Sequence, residues 1–194
     1  MLDKPSEGKG DLDYLSELLA IQQSGPKNIG FFGTRNMGMT HQQLIEIVRC
    51  AEGSMGLRGC WRPSHGWPSH ACSYALVVTG NHIYTSGATG TNAAVIRGAL
   101  RDPASKERLT VVLPQSRSKQ PPESQELISQ VQQVIEMPQN DALPLVEASR
   151  ICNRDIIRRV QQIICFAYHD SHLLLETCAE AKEMRKITTL FYLD

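Results

Sequence analysis

SGATGTNAAVIRGAL, residues 86–100, decides how the rest of this chain is read. It follows the β-rich run NHIYT at 81–85 and leads into an alanine-rich, helix-prone segment. Gly87 and Gly90 permit a tight turn with backbone amides facing outward. Thr91 or Asn92 is placed to cap the following helix, whose N–H groups and dipole attract an anion. A strand, a Gly/Thr/Ser turn and a helix N-terminus together predict a phosphate-binding site. Ser86, Gly87, Thr89, Gly90, Thr91 and Asn92 would supply its amides and hydroxyls. The spacing matches neither GxxxxGK[ST] nor GxGxxG, so a plain βα turn stays open as the alternative.

Working outward, the same alternation repeats. An apolar run, NIGFFG at 28–33, predicts a buried strand that stops at Gly33-Thr34-Arg35-Asn36. After the central turn, a helix over 92–101 precedes a β-branched strand at 109–113 and a polar loop at 115–119. Pro121 and Pro122 sit where prolines start helices, predicting one through 133, then a strand at 134–137. A helix over 145–160, a strand at 162–168, a helix over 171–185 and a strand at 187–193 complete the series. Strands alternating with helices predict an α/β fold, a Rossmann-like, doubly wound and mainly parallel sheet in a single domain. Nearly unbroken apolar strands fit burial on both faces. Ligands of such sheets bind at the carboxyl ends of the strands. Residues 33–36, 86–92, 114–119 and 169–172 all fall there.

Two segments stand apart. Residues 1–27 read as a polar tail followed by an amphipathic helix over 11–23, and 28–194 as the α/β domain. Residues 49–72 hold both tryptophans and three of the six cysteines, without any period. Deleting them joins 41–48 to 73–78 as HQQLIEIVSYALVV, one continuous amphipathic helix, so 49–72 reads as an insertion or loop. Cys50, Cys60, His65, His70 and Cys72 match no familiar zinc spacing, and neither a metal nor another cofactor is expected.

With 20 Lys+Arg against 20 Asp+Glu, the chain carries no global basic field, so a nucleic-acid site must be a local patch. No apolar run reaches the ~18 residues of a membrane span. The first residues, MLDKPSEGKGDLD, resemble neither a signal nor a transit peptide, and the scattered cysteines read as reduced thiols. The expectation is a cytoplasmic protein, or a plastid-stroma protein if a targeting segment is missing.

Arg35, just after the first strand, is a candidate planar fork for a phosphate. Arg150, Arg154 and Arg158 recur every four residues and share a helix face. That stripe would add auxiliary cationic contacts to nucleic-acid phosphates, and it is also the pattern of a solvated or subunit-facing helix. Glu176 is the carboxylate best placed for acid–base work, with a surface helix glutamate as the alternative. His169-Asp170-Ser171 holds the triad residue types, but no G-x-S-x-G elbow accompanies it, and no catalytic residue is assigned.

Several of these residues carry a resemblance. GFFGTR at 30–35 is similar to the first-strand G-[ST]-R signature of the DNA-processing protein DprA, the DNA recombination mediator. SGATGTNAAVIRGAL resembles that family's SG-x-x-x-G-x-x-A-x-x-x-G-A-L segment with one residue fewer in the turn. CNRDII at 152–157 resembles its R-N-R-I-I helix, and HDSHLL at 169–174, with Thr177 and Ala181, its SG-x-L-x-T-A-x-x-A stretch. The chain looks closest to a small single-domain DprA-like group associated with cyanobacteria and plastids. The resemblance implies a Rossmann-like fold shared with the lonely-guy phosphoribohydrolases. It further implies a homodimer that binds nucleotide or single-stranded DNA and partners a recombinase, with Gly33, Thr34 and Arg35 as one wall of the site. Two alternatives differ in class. One is a phosphoribohydrolase acting on nucleoside monophosphates, although residues 169–176 lack the paired glycines of PGGxGTxxE. The other is a nucleotide-sensing interaction module.

Overall fold

The computed structural model describes residues 27–35, 76–77, 80–103 and 105–193. The amphipathic helix over 11–23, the insertion at 49–72 with its cysteines and histidines, and Asn36 lie outside the described residues. Six strands make one sheet: β1 (Asn28–Gly33), β2 (His82–Ser86), β3 (Leu109–Val112), β4 (Gln133–Ile135), β5 (Gln162–Ala167) and β6 (Ile187–Tyr192). Among the described residues, the helices with full bounds are α1 (Thr91–Ala99), α2 (Ser105–Arg108), α3 (Pro122–Ser129), α4 (Leu145–Arg159) and α5 (His172–Glu183). Short 3-10 turns cover Arg117–Lys119 and Pro138–Asn140.

All five strand pairings are parallel, in the order β4-β3-β2-β1-β5-β6. The chain steps outward from β1 to β4, then returns to β5 on the other side of β1. The strand order therefore reverses between β1 and β5, where open α/β sheets bind their ligands. The sequence expectation of a doubly wound, Rossmann-like α/β sheet holds.

Burial follows from that topology. Every residue of β3 and β5 is buried, as are five of the six in β1, because helices cover both faces. Alternate side chains of a strand enter different cores. Ile29, Phe31, Ile164 and Phe166 pack with Val95 and Ile96 of α1 and Ile128 of α3. Phe32, Ile163, Cys165 and Ala167 pack with Ile156 and Ile157 of α4 and Cys178 of α5. The edge strands β4 and β6 are only partly covered, and their burial is broken. Among the described residues, no helix is long and apolar enough to cross a membrane.

Several boundaries differ from the sequence expectation by one or two residues, and the largest shift lies around β4. The helix expected through 133 ends at Ser129, and the strand expected at 134–137 starts at Gln133. The Gln133 side chain explains the shift. Its amide oxygen accepts from the Thr110 hydroxyl at 3.0 Å and its NH2 donates to the Glu107 carbonyl at 3.3 Å, fastening that residue beside β3. Pro122 does sit in the first turn of α3, where its missing N–H costs nothing. Leu76 and Val77 are helical, as expected from the 73–78 pattern. That turn closes on Gly80 at φ 92°, with the Asn81 side chain donating to the Leu76 carbonyl at 3.0 Å.

Candidate functional site

The residues after β1, β2, β3 and β5 converge on one cavity of about 470 Å³ at the carboxyl ends of the strands. Phe32 to Arg35 form one side, Ser86, Ala88, Thr89 and Asn92 the next, and Pro114, Gln115, Lys119 and Gln120 the third. The first turns of α4 and α5 close it with Leu145, Val146, Ser149 and Ser171 to Leu174. In a parallel α/β sheet each helix starts where a strand has ended. The N-terminal turns of α1, α3, α4 and α5 therefore all border this space, through Asn92, Ser124, Leu145 and His172. Each contributes a positive dipole end that favours an anion.

Charge reinforces the dipoles. The lining holds Arg35 and Lys119 as permanent cations and, among the described residues, no Asp or Glu. Both side chains are exposed, and neither forms an ion pair with a described carboxylate. Arg35 donates to the Ser149 hydroxyl at 3.3 Å, which aims its guanidinium across the cavity towards α4. The balanced chain thus has the local basic patch that its composition demands of an anion binder.

Lys119 is held in place indirectly. The Ser116 amide and hydroxyl each donate to the Asp141 carboxylate at 2.7 Å. Those two bonds, with Lys119 acting more weakly, hold the Asp141 carboxyl below the usual carboxylate range. Gln115 donates to the carbonyls of Asn140 and Leu143 at 3.2 and 3.1 Å, and Asn140 returns a bond to the Pro114 carbonyl at 3.1 Å. The β3–α3 loop is thereby fastened to the segment that leads into α4. Cys152, on the cavity floor, donates to the Val112 carbonyl at 3.3 Å, and burial pushes its thiol up, so it packs as a neutral group.

The central turn works differently from its sequence reading. Neither Thr91 nor Asn92 caps α1: the N-cap is Gly90, with no side-chain cap bond. Thr91 is fully buried, and its amide donates to the Thr34 carbonyl at 3.1 Å. Asn92 accepts the Thr85 hydroxyl at 3.1 Å, and that hydroxyl also reaches the Phe31 carbonyl at 3.2 Å. The glycines serve close approach: a Cβ on Gly33 would overlap the Thr91 side chain, and one on Gly87 would overlap Leu113. Gly33, Thr34, Arg35, Ser86, Thr89 and Asn92 line the cavity, whereas Gly87, Gly90 and Thr91 hold its walls together from behind.

The helical arginine stripe lies elsewhere. Arg150 donates to Glu176 at 3.0 and 3.4 Å and Arg154 bonds Glu180, tying α4 to α5. Arg158 is exposed, and none of the three lines the cavity. Glu176, the candidate acid or base, is likewise outside the lining. Sequence reasoning missed Lys119, Gln115, Ser149 and Asn153. Lys119 had a signal, a basic residue in a loop after a strand, but nothing local showed that this loop borders the same cavity as Arg35.

No protein-family model matches the chain, and no curated protein matches it by sequence. Solved structures do. DNA processing protein A from Helicobacter pylori, described for its single-stranded DNA binding mode, superposes with a TM-score of 0.59 at 15% identity, covering 88% of this chain and 67% of that one. DNA processing protein A (DprA) from Streptococcus pneumoniae gives a TM-score of 0.56 at 16% identity, covering 87% of this chain and 51% of its own. The chain has the DprA fold. It spans about two thirds of the first of these DprA chains and about half of the second.

Proposed function

We propose that this DprA-like chain binds single-stranded DNA, with one or more phosphates in the cavity between Arg35 and Lys119. The observation that carries the reading is the lining itself: two cations without an ion pair to any described carboxylate, four helix N-termini, and no described carboxylate. The likeness to a protein described for its single-stranded DNA binding mode supports the same ligand. Thr34 and Arg35 form one wall of the proposed site, and Ser86, Thr89 and Asn92 the adjoining one. In its finer form the proposal is a recombination mediator that acts as a homodimer with a recombinase. Light scattering and recombinase-loading assays test that part.

The direct test is a fluorescence-anisotropy titration of a labelled single-stranded oligonucleotide at two salt concentrations, with AMP as competitor. Binding that is roughly micromolar and falls steeply with salt is expected, since a protein that neutralises phosphates releases counterions. Arg35→Ala should weaken it several-fold and reduce the salt slope by about one phosphate contact. An oligonucleotide that fails to bind, beside tight AMP binding, would assign the cavity to a mononucleotide instead.

The stripe on α4 gives a contrasting expectation. Arg150 already has its counter-charge in Glu176, which also raises the guanidinium pKa. Arg150→Ala should therefore change DNA affinity by less than about twofold, because exposed, already neutralised pairs carry little interaction energy. A loss matching that of Arg35→Ala would bring α4 into the interface.

A further inference from the structure

Beyond the phosphate cavity, the carboxyl edge of the sheet carries a pair of stacked, solvent-exposed flat rings. His169 and Tyr192 stack with ring centroids 3.9 Å apart and planes 2° from parallel. Tyr192 is the last residue of β6, paired in register with Ala167 at the end of β5, and it is 46% exposed. His169 lies two residues past that point, in the turn closed by the Ser171 amide on the Tyr168 carbonyl at 3.0 Å, and it too is exposed. The neighbouring Phe166–Phe191 pair is set inward, its rings built into the core, and so has an ordinary packing role. The outer pair is set towards solvent instead.

Its position relative to the cavity is fixed by the backbone. Ser171 and His172 line the cavity, and His169 precedes them by two and three residues. At 3.8 Å per residue the His169 Cα lies within about 8 Å of the Ser171 Cα on that wall. At the duplex rise of about 3.4 Å per nucleotide, a strand covers this span in about two to three nucleotides. Flat aromatic faces beside a cationic groove are how proteins hold unpaired bases without reading their sequence, because every base offers a π-face.

We infer that His169 and Tyr192 form a stacking platform for an unpaired base of the strand whose phosphates occupy the Arg35–Lys119 cavity. This rests on the phosphate-site reading above, and it makes the ligand a base-bearing single strand rather than a polyanion at large. The platform predicts weak dependence on base identity and strong dependence on the presence of a base.

The test compares two labelled strands of equal length, oligo-dT and an abasic deoxyribose-phosphate chain, by anisotropy with the full chain. Wild type should bind oligo-dT about tenfold more tightly than the abasic strand, the scale of one base–aromatic stack. Tyr192→Ala should remove most of that advantage while leaving the abasic affinity and the salt slope unchanged. Tyr192→Phe should retain it. His169→Ala, at an exposed turn, gives a second variant, its fold checked by circular dichroism, and it should show a similar partial loss. The platform is overturned if both alanine variants keep the full preference for oligo-dT, or if they weaken both strands equally. If wild type binds neither strand, the phosphate-site reading and the platform both fall. If it binds both equally, only the platform does.

Discussion

Gly90→Ala is expected to destabilise the protein more than any other single methyl group added at the site. Gly90 has φ 71° and ψ −129°, a conformation that L-residues rarely adopt. A Cβ there would stand 2.5 Å from the Thr34 carbonyl oxygen and 2.6 Å from that of Arg35. Neither oxygen can move aside cheaply. The Thr34 carbonyl accepts the Thr91 amide at 3.1 Å, and the Thr34 amide is bonded to the Phe166 carbonyl at 3.0 Å. Shifting residue 34 would loosen α1 from the end of β1 and that end from β5. Backbone strain of about 1–3 kcal/mol adds to an overlap of similar size. In a chain of this length such a loss lowers Tm by roughly 10 °C. Thermal melting followed by circular dichroism measures it, with Gly30→Ala as comparison. A Cβ on Gly30 meets only side chains, at 3.2 to 3.4 Å, and the helix can give slightly. Equal Tm values for the two variants would remove the positive-φ turn as the cause.

The largest functional effect is expected from Arg35→Glu combined with Lys119→Glu. The two cations become two anions in a cavity with no described carboxylate of its own. Each wild-type side chain is exposed, so the double variant should fold with an unchanged Tm. Single-strand binding contributes about 0.7 to the salt slope per phosphate neutralised, so losing two contacts should lower the slope by about 1.4. Repulsion of the incoming phosphates adds to that loss, and affinity at low salt should fall at least about a hundredfold. A folded double variant that keeps its slope would place the phosphates elsewhere on the molecule.

How much of this was legible beforehand depends on the range of the interactions. The alternation of strands and helices is local. Buried runs such as NIGFFG and QIICFA declare themselves because helices on both faces demand apolar residues at every position. The carboxyl-end loops could be named as the site region from topology alone, and residues from each of them line the cavity. The glycines of the central turn were visible, but their duties were not. Gly33 and Gly90 are set by Thr91 and by the carbonyls of Thr34 and Arg35, residues brought close only once α1 packs against β1. The arginine stripe was read correctly as one helix face. Its partners, Glu176 and Glu180, lie 26 residues away on α5, and no helical period reveals them.

The sequence by itself determined the class of fold, the doubly wound sheet and the end of it where a ligand would sit, because hydrophobic period and turn chemistry act between near neighbours. Tertiary structure alone decided which charges face that ligand. Arg35 and Lys119 are 84 positions apart in the chain (119 − 35), and they line one cavity only because β1 and β3 run parallel on either side of β2. The His169–Tyr192 stack arises in the same way, from the parallel register that sets Ala167 beside Tyr192. Coulomb interaction and ring stacking depend on distance in space, which the order of residues along the chain does not contain.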